Sequence, residues 1–326
     1  MGAVANKMAL VVTRALPGPL TERVARSGPA WLNATDEPLT ADEIVRAARD
    51  SEASVLLAMA TDRIDAALIR RLPSSLRAIA TLSVGHDHID CEAARERGLA
   101  VLSTPDILSD AVAEMAMLLL LGAARRAHEG SRLLYGGEWR GWSPTQLLGR
   151  DVTGGRLGIL GMGRIGRTIA RRARGFDMAV HYHNRSRLAP EHEDAATYRP
   201  NLDAFLAESD FLVLAAPSTP ATRGIMDASA IARLPRGAVV VNIARGSLVD
   251  DAALIAALRS GHVGAAGLDV FNGEPDIDPA YLELPNVFLQ PHQGSSTLGT
   301  RVRMGELLLA SIEDHLNGRP VSNRLV

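Results

Sequence analysis

The sequence predicts an α/β fold in two domains. Short apolar runs alternate with amphipathic segments along nearly the whole chain. One long apolar helix interrupts the alternation about a third of the way along, and 326 residues suffice to bury two separate cores.

Taken in order, the first third has strand-like runs at 9–13, 53–59, 78–83 and 99–103 and helical patterns at 40–49, 63–71 and 90–97. Strands alternating with helices imply parallel crossovers. After Thr104-Pro105 comes the apolar stretch 111–124, which contains Glu114, follows Ser109-Asp110 and stops at Arg125-Arg126. It is shorter than the roughly 20 residues a membrane span needs, so it reads as a buried helix. A loop bearing Gly and Trp, 136–149, leads into a second alternating series with strands at 157–160, 178–182, 211–215, 238–243, 265–268 and 287–290. Six parallel strands suit a complete Rossmann-type dinucleotide-binding domain. A last amphipathic helix, 300–317, is ended by Gly318 and Pro320.

Composition removes several classes of function. Charged residues are 22%, apolar residues 47%, and the formal net charge is -2, so no overall field holds nucleic acid or an anionic membrane. Cys91 is the only cysteine, which excludes an internal disulfide and points to a reducing compartment, the cytoplasm. It reads as a small packing residue rather than a nucleophile. Residues 1–16 lack a basic start and a small-residue cleavage site, so the apolar run at 8–12 is expected to be a first strand rather than part of a signal peptide.

The most informative local pattern is Gly161-Met162-Gly163-Arg164-Ile165-Gly166, which follows a strand and opens a helix. The first glycine permits the tight turn, the second lets a pyrophosphate approach the backbone, and the third lets helix pack on strand. The open amides of the helix start then hold the phosphates. About 20 residues further on, an NAD-preferring site places an acid against the ribose 2'-hydroxyl. Here the sequence is His183-Asn184-Arg185-Ser186-Arg187. Neutral Asn184 beside Arg185 and Arg187 accepts a 2'-phosphate, so NADP(H) is preferred, with NAD(H) possible. His181 and His183, two imidazoles on one strand with no third ligand, make a poor metal site, and no metal is expected.

Three further groups, Arg245, Glu274 and His292, each follow the C-terminal end of an expected parallel strand, the edge where open α/β sheets bind ligands. With these residues in view, the chain resembles the D-isomer-specific 2-hydroxyacid dehydrogenases, most of all the glyoxylate and hydroxypyruvate reductases. The resemblance runs through Ser83-Val84-Gly85-His86-Asp87-His88-Ile89-Asp90, Thr104-Pro105-Asp106-Ile107-Leu108-Ser109-Asp110, the glycine turn, Asn242-Ile243-Ala244-Arg245-Gly246, Leu268-Asp269-Val270-Phe271 with Glu274-Pro275, and Pro291-His292. It implies a Rossmann-type domain plus a flavodoxin-like substrate domain with a cleft between them. The expected limits are 1–103 for the substrate domain, 104–292 for the NAD(P)-binding domain, and 293–326 for a terminal helix returning to the substrate domain. It also implies that Arg245, Glu274 and His292 are catalytic and that Ser83, Val84 and Gly85, with Arg245, hold the substrate carboxylate. Pro217, Ile243, Ala244, Asp269 and Gly294 join the glycine turn, Asn184, Arg185 and Ser186 in holding the dinucleotide.

The chemistry agrees with these residue types. Reducing a 2-oxo acid needs a forked cation to hold the carboxylate and polarise the carbonyl, a role for Arg245. The developing alkoxide needs a proton, a role for His292, and a carboxylate that orients the imidazole and stabilises its protonated form, a role for Glu274. Two departures from the family pattern stand out: Gln293, where many relatives carry an apolar residue, and the Trp- and Gly-rich region 135–142. By resemblance this region lies near the subunit interface of a homodimer, from which Trp139 or Trp142 reaches toward a substrate pocket. Two alternatives stay open: a relative acting on another substrate, such as a phosphoglycerate, lactate or formate dehydrogenase, and a dinucleotide-sensing corepressor or scaffold.

Overall fold

A computed structural model describes residues 8–326; residues 1–7 of the expected first domain lie outside the described residues. The chain forms β1 (Leu10–Val12), α1 (Gly18–Ser27), β2 (Ala30–Leu32), α2 (Ala41–Asp50), β3 (Val55–Ala58), α3 (Ala66–Arg71), β4 (Ala78–Thr81), α4 (Cys91–Glu96) and β5 (Ala100–Leu102). Next come α5 (Ser109–Ala124), α6 (Ala127–Tyr135), β6 (Arg156–Leu160), α7 (Arg164–Ala173), β7 (Ala179–His183), α8 (Pro190–Glu193), β8 (Thr197–Tyr198) and α9 (Leu202–Ala207). The series closes with β9 (Phe211–Leu214), α10 (Ala228–Arg233), β10 (Ala238–Asn242), α11 (Asp251–Arg259), β11 (Val263–Leu268), α12 (Ala280–Glu283), β12 (Val287–Leu289) and α13 (Leu298–Leu316).

Two compact units result: the described residues up to Leu108 together with Ser295–Val326, and Ser109–Gly294. The first unit has a parallel sheet in the order β2-β1-β3-β4-β5, the flavodoxin-like order. The second has a seven-stranded parallel sheet in the order β12-β11-β10-β9-β6-β7-β8, which contains the doubly wound Rossmann arrangement with its switch between β6 and β9. Its central strands are apolar but for the terminal Asn242, as strands covered on both faces should be: Phe211–Leu214 and Ala238–Asn242 are buried at every position. Polar side chains start the helices, with Thr40, Asp65, Asp90, Asn201, Asp227, Asp250 and Thr297 each accepting a bond from a first-turn amide.

Four elements depart from the expected pattern. The edge strand β2, Ala-Trp-Leu, exposes two of its three residues, and an apolar run of three is too short to mark a strand. The helix α1 opens on Gly18-Pro19, which reads locally as a turn although proline is tolerated in a first helical turn. In α6 no side chain is buried, so no apolar stripe announces the helix. The seventh strand of the second sheet, β8, is two residues long. Among the described residues no helix is long and apolar enough to cross a membrane.

The long helix α5 lies against β10, β11 and β12. Gly267 on β11 permits the approach, because a Cβ there would sit 2.6 Å from the Leu119 carbonyl oxygen and 2.8 Å from the Leu119 Cβ. Gly267→Ala is therefore expected to destabilise the second unit by about 1–3 kcal/mol through overpacking, read as a lower denaturation midpoint in urea; an unchanged midpoint would show that α5 can back away freely.

Candidate active site

Because every strand of the second sheet is parallel, all its C-terminal ends share one edge. That edge carries the glycine turn after β6, Asn184 to Ser186 after β7, Pro217 after β9, Ile243 to Arg245 after β10, Asp269 to Glu274 after β11 and His292 after β12. Ser83, Val84 and Gly85 follow β4 in the first unit.

The glycine turn meets the demands of a dinucleotide phosphate. Gly161 has φ +100°, and a Cβ there would lie 2.4 Å from the Ala216 amide nitrogen. A Cβ on Gly166 would lie 2.5 Å from the Gly161 carbonyl oxygen, so only glycine lets α7 begin so close to β6. A Cβ on Gly163, by contrast, would meet nothing within 4 Å. The chain itself gives no packing reason for glycine there, whereas a pyrophosphate approaching the backbone does. Met162 is buried, Arg164 is exposed, and Ile165 is half-buried in the first turn of α7.

The turn after β7 is anchored on several sides. Asn184 Oδ1 accepts from the Met162 amide at 2.7 Å, tying the turn to the glycine loop, and the Asn184 carbonyl accepts from the Tyr198 hydroxyl at 3.2 Å. Arg187, expected to share a phosphate with Arg185, instead makes a two-pronged pair with Glu193 at 2.8 and 2.9 Å. Tyr182 Oη donates to the same carboxylate at 2.6 Å and accepts from the Leu188 amide at 3.0 Å. Arg187 and Tyr182 together hold the Glu193 carboxyl down to about 2. Arg185 and Ser186 are exposed, and among the described residues their side chains make no hydrogen bond or ion pair. Glu193 and Tyr198 were not legible as parts of this site, because each closes the turn from further along the chain, and Tyr182, two residues before Asn184, read only as a strand residue.

The two histidines of β7 are engaged structurally. His181 bonds Ser209 Oγ at 3.0 Å and the Phe205 carbonyl at 3.3 Å, with burial lowering its pKa. His183 Nδ1 bonds the Arg199 carbonyl at 2.8 Å.

At the other side of the edge, His292 Nδ1 lies 2.7 Å from Glu274 Oε2, and Glu274 Oε1 accepts from the Phe271 amide at 2.7 Å. Burial by itself would raise the Glu274 carboxyl. The hydrogen bond and charge of His292, the Phe271 amide and the nearby Arg245 charge outweigh it and hold Glu274 below the usual range. Glu274 is thus a carboxylate that orders the ring with Nδ1–H toward itself and leaves Nε2 as the outward nitrogen. Gly246 brings Arg245 alongside: a Cβ there would fall 1.9 Å from the Phe271 carbonyl carbon, so the two loops meet backbone to backbone. Asn242 secures the Arg245 loop by donating to the Arg245 carbonyl at 2.9 Å and accepting from the Ala244 amide at 3.0 Å. The Ile243 side chain is buried.

Asp269 sits beneath the histidine. It is 1% exposed, and its two oxygens accept from the amides of Gln293 at 2.6 Å and Gly294 at 2.8 Å. Its own carbonyl accepts from the His292 amide at 2.8 Å. Burial pushes its carboxyl up to about 6 against the opposing pull of these amides and of His292. Its carboxylate is therefore committed to the His292 loop, while Gly294 is buried against it and Val112, and Gln293 is exposed.

The glycine geometry makes an unequal prediction. Gly163→Ala should leave the denaturation midpoint of the ligand-free protein unchanged and weaken dinucleotide binding tenfold or more, whereas Gly166→Ala should lower the midpoint. Calorimetric titration with NADPH and NADH beside urea unfolding would decide it, and unimpaired binding by Gly163→Ala would remove the phosphate reading of that turn.

Comparison with known proteins agrees with this geometry. The family described as "D-isomer specific 2-hydroxyacid dehydrogenase, NAD binding domain" matches residues 117–294. A glycerate dehydrogenase of Hyphomicrobium methylovorum is 39% identical over 98% of this chain and 99% of its own length. A glyoxylate reductase of Thermococcus kodakarensis is 39% identical over 94% of this chain and 92% of its own. Among solved structures, an NADPH-dependent glyoxylate/hydroxypyruvate reductase of Sinorhizobium meliloti, in complex with NADP and malonate, superposes with a TM-score of 0.87 at 30% identity, covering 98% of this chain and 97% of its own. A Rossmann sheet with the glycine turn, a flavodoxin-like sheet beside it in the chain, and similarity along almost its entire length lead to one assignment: the chain belongs to the D-isomer specific 2-hydroxyacid dehydrogenase family.

Proposed function

We propose that this protein reduces glyoxylate or hydroxypyruvate to the D-2-hydroxy acid with NADPH as its preferred reductant. The observation that carries the reading is the 2.7 Å Glu274–His292 pair, with the Arg245 charge acting on the same carboxylate, on the sheet edge that also bears the glycine turn. The names of the relatives support the substrate class.

The nicotinamide, when bound, supplies the hydride that reaches substrate C2. Arg245 holds the substrate carboxylate and polarises the 2-oxo group; the amides of Ser83, Val84 and Gly85 hold the carboxylate as well. His292 gives the proton on Nε2 to the developing alkoxide, a transfer worth typically about 10²- to 10⁴-fold in rate. Glu274 keeps the ring oriented and stabilises its charged form. The unit Ser109–Gly294 is the dinucleotide domain; its glycine turn from Gly161 to Gly166, Asn184, Arg185, Ser186, Pro217, Ile243, Ala244, Asp269 and Gly294 surround the cofactor. Within this set Asp269 acts through the His292 loop, since both its carboxylate oxygens are taken by amides. Arg185 and Ser186, exposed and uncommitted, take the 2'-phosphate.

The working form is a homodimer. Leu118, Leu134, Tyr135, Trp139, Trp142 and Leu148 are exposed within one stretch of the second unit, Tyr135 at 93% and Trp142 at 82%. Large apolar side chains concentrated in this way favour burial against a second copy.

Initial rates with glyoxylate, hydroxypyruvate, pyruvate and phenylpyruvate, each with NADPH and NADH, test the assignment. Fast turnover of the first two with NADPH is expected, and Arg185→Glu should harm NADPH use far more than NADH use. Equal losses would remove the phosphate role of Arg185; tight dinucleotide binding with no turnover of any 2-oxo acid would favour a scaffold.

The pH profile tests Glu274. Its lowered pKa keeps it ionised through the neutral range, where it favours the protonated imidazole. In Glu274→Gln that support is gone, so the loss of reduction on the alkaline side should set in at lower pH. A kcat/KM profile with an unmoved alkaline limb would exclude the proposed pairing.

A further inference from the structure

Arg301 is a cation for which the fold supplies no counter-ion. It lies in the first turn of α13, is partly buried, and its guanidinium donates only to Ser296 Oγ, at 3.3 Å; among the described residues it has no acidic partner. Burial lowers its pKa, and no neighbouring charge offsets that effect. Arg319, exposed just beyond the end of α13, is by contrast paired to Asp314 at 2.6 Å. A partly buried guanidinium without a carboxylate carries a desolvation cost that an anion from outside the chain would offset.

The topology of the first unit shows which end of the sheet Arg301 occupies. α13 packs on β4 and β5, and near its C-terminus the His315 ring faces the backbone of Arg77, just before β4 starts. The helix therefore runs back along β4. From His315 to Arg301 is roughly 21 Å of helix, and from Arg77 to Ser83 is roughly 20 Å of extended chain. Arg301 thus stands at the level of the loop that follows β4.

That loop is itself built to receive an anion. The amides of Ser83, Val84 and Gly85 donate no hydrogen bond among the described residues, although Ser83 is buried and the other two are half-buried. The polar side chains are turned to internal duties: Ser83 Oγ donates to the Gly85 carbonyl at 2.6 Å and lies 2.8 Å from Thr81 Oγ1, which lies 2.9 Å from His88 Nε2. Successive open amides form an anion-binding concavity, and a guanidinium at the same end of the sheet is placed to add charge to it.

We propose that Arg301 and the Ser83–Gly85 amides form one carboxylate-binding site in the first unit, with Arg301 adding a charge from that unit to the one Arg245 is proposed to supply. This rests on the reading of that loop as a substrate contact. It adds a substrate-binding residue that neither the glycine turn nor the Arg245, Glu274 and His292 group contains.

The test uses the full-length protein saturated with NADPH and oxalate, a planar dianion similar in size to glyoxylate. Arg301→Gln should raise the oxalate Kd and the glyoxylate KM roughly ten- to a hundredfold, the worth of a charge-assisted hydrogen bond. kcat should change less and the NADPH Kd not at all, while Arg301→Lys restores part of the oxalate affinity. A Gln variant that keeps wild-type oxalate Kd and KM within twofold overturns the proposal. So does a Gln variant whose only change is a lower melting temperature, matched by Arg301→Lys, since that is a structural role. If the wild-type protein neither binds oxalate nor turns over any 2-oxo acid, the proposed function itself fails; normal wild-type behaviour with an unaffected variant removes Arg301 alone.

Discussion

The constraint on which the proposed chemistry depends is the backbone of His292. This residue has φ 53°, in the left-handed region, where a side chain other than glycine is uncommon and costs of order 1–3 kcal/mol in strained cases. Asp269 holds it there, taking the amides of His292, Gln293 and Gly294 on one carbonyl and two carboxylate oxygens. Burying a carboxyl for this purpose carries its own cost, visible in the raised Asp269 pKa of about 6. The two costs share one outcome: the imidazole is fixed in position before any ligand arrives, with Nδ1 on Glu274. Preorganisation of this sort lets a proton donor act without rearrangement at the moment of reaction.

The same economy governs how the three groups meet. Arg245, Glu274 and His292 follow three adjacent strands, β10, β11 and β12, so parallel pairing alone sets them side by side on one edge. The remaining closeness comes from absent side chains. Gly246 lets the loop after β10 press on the Phe271–Asn272 backbone, and Gly267 lets α5 lie tightly over β11. Glycine at these points trades chain entropy for proximity, and the carboxylate of Glu274 feels Arg245 as a result.

What could be read from the sequence follows the reach of the forces involved. Central strands such as Phe211–Leu214 and the glycine turn are written in consecutive residues, because burial on both faces and a tight turn each leave a local pattern. The catalytic candidates were legible for a different reason: their motifs stand at strand ends, and the resemblance to a family named their roles. Elements stabilised by little burial, β2, α6 and β8, had no pattern to find. The partnership of Arg187 with Glu193 was also hidden, since the sequence displays an arginine's charge and not its counter-ion. Arg301 was invisible for the converse reason, as an amphipathic helix normally carries arginines on its wet face.

The turn after β7 shows how one atom's duty bears on cofactor choice. Asn184 Oδ1 is needed as an acceptor for the Met162 amide, because that bond ties the turn to the glycine loop. An aspartate could accept the same bond, but it would set a negative charge where the proposed 2'-phosphate arrives with its own charge. The amide meets the structural need without the repulsion. Arg187 is meanwhile neutralised by Glu193, so the turn presents one uncommitted guanidinium, Arg185, beside a hydroxyl. A single flexible cation on the surface discriminates modestly between a phosphate and a hydroxyl, because solvent screens it and its side chain must be ordered on binding. The local physics therefore makes the proposed preference for NADPH one of degree, with residual use of NADH, and rests that proposal as much on the missing acid as on the arginine that is present.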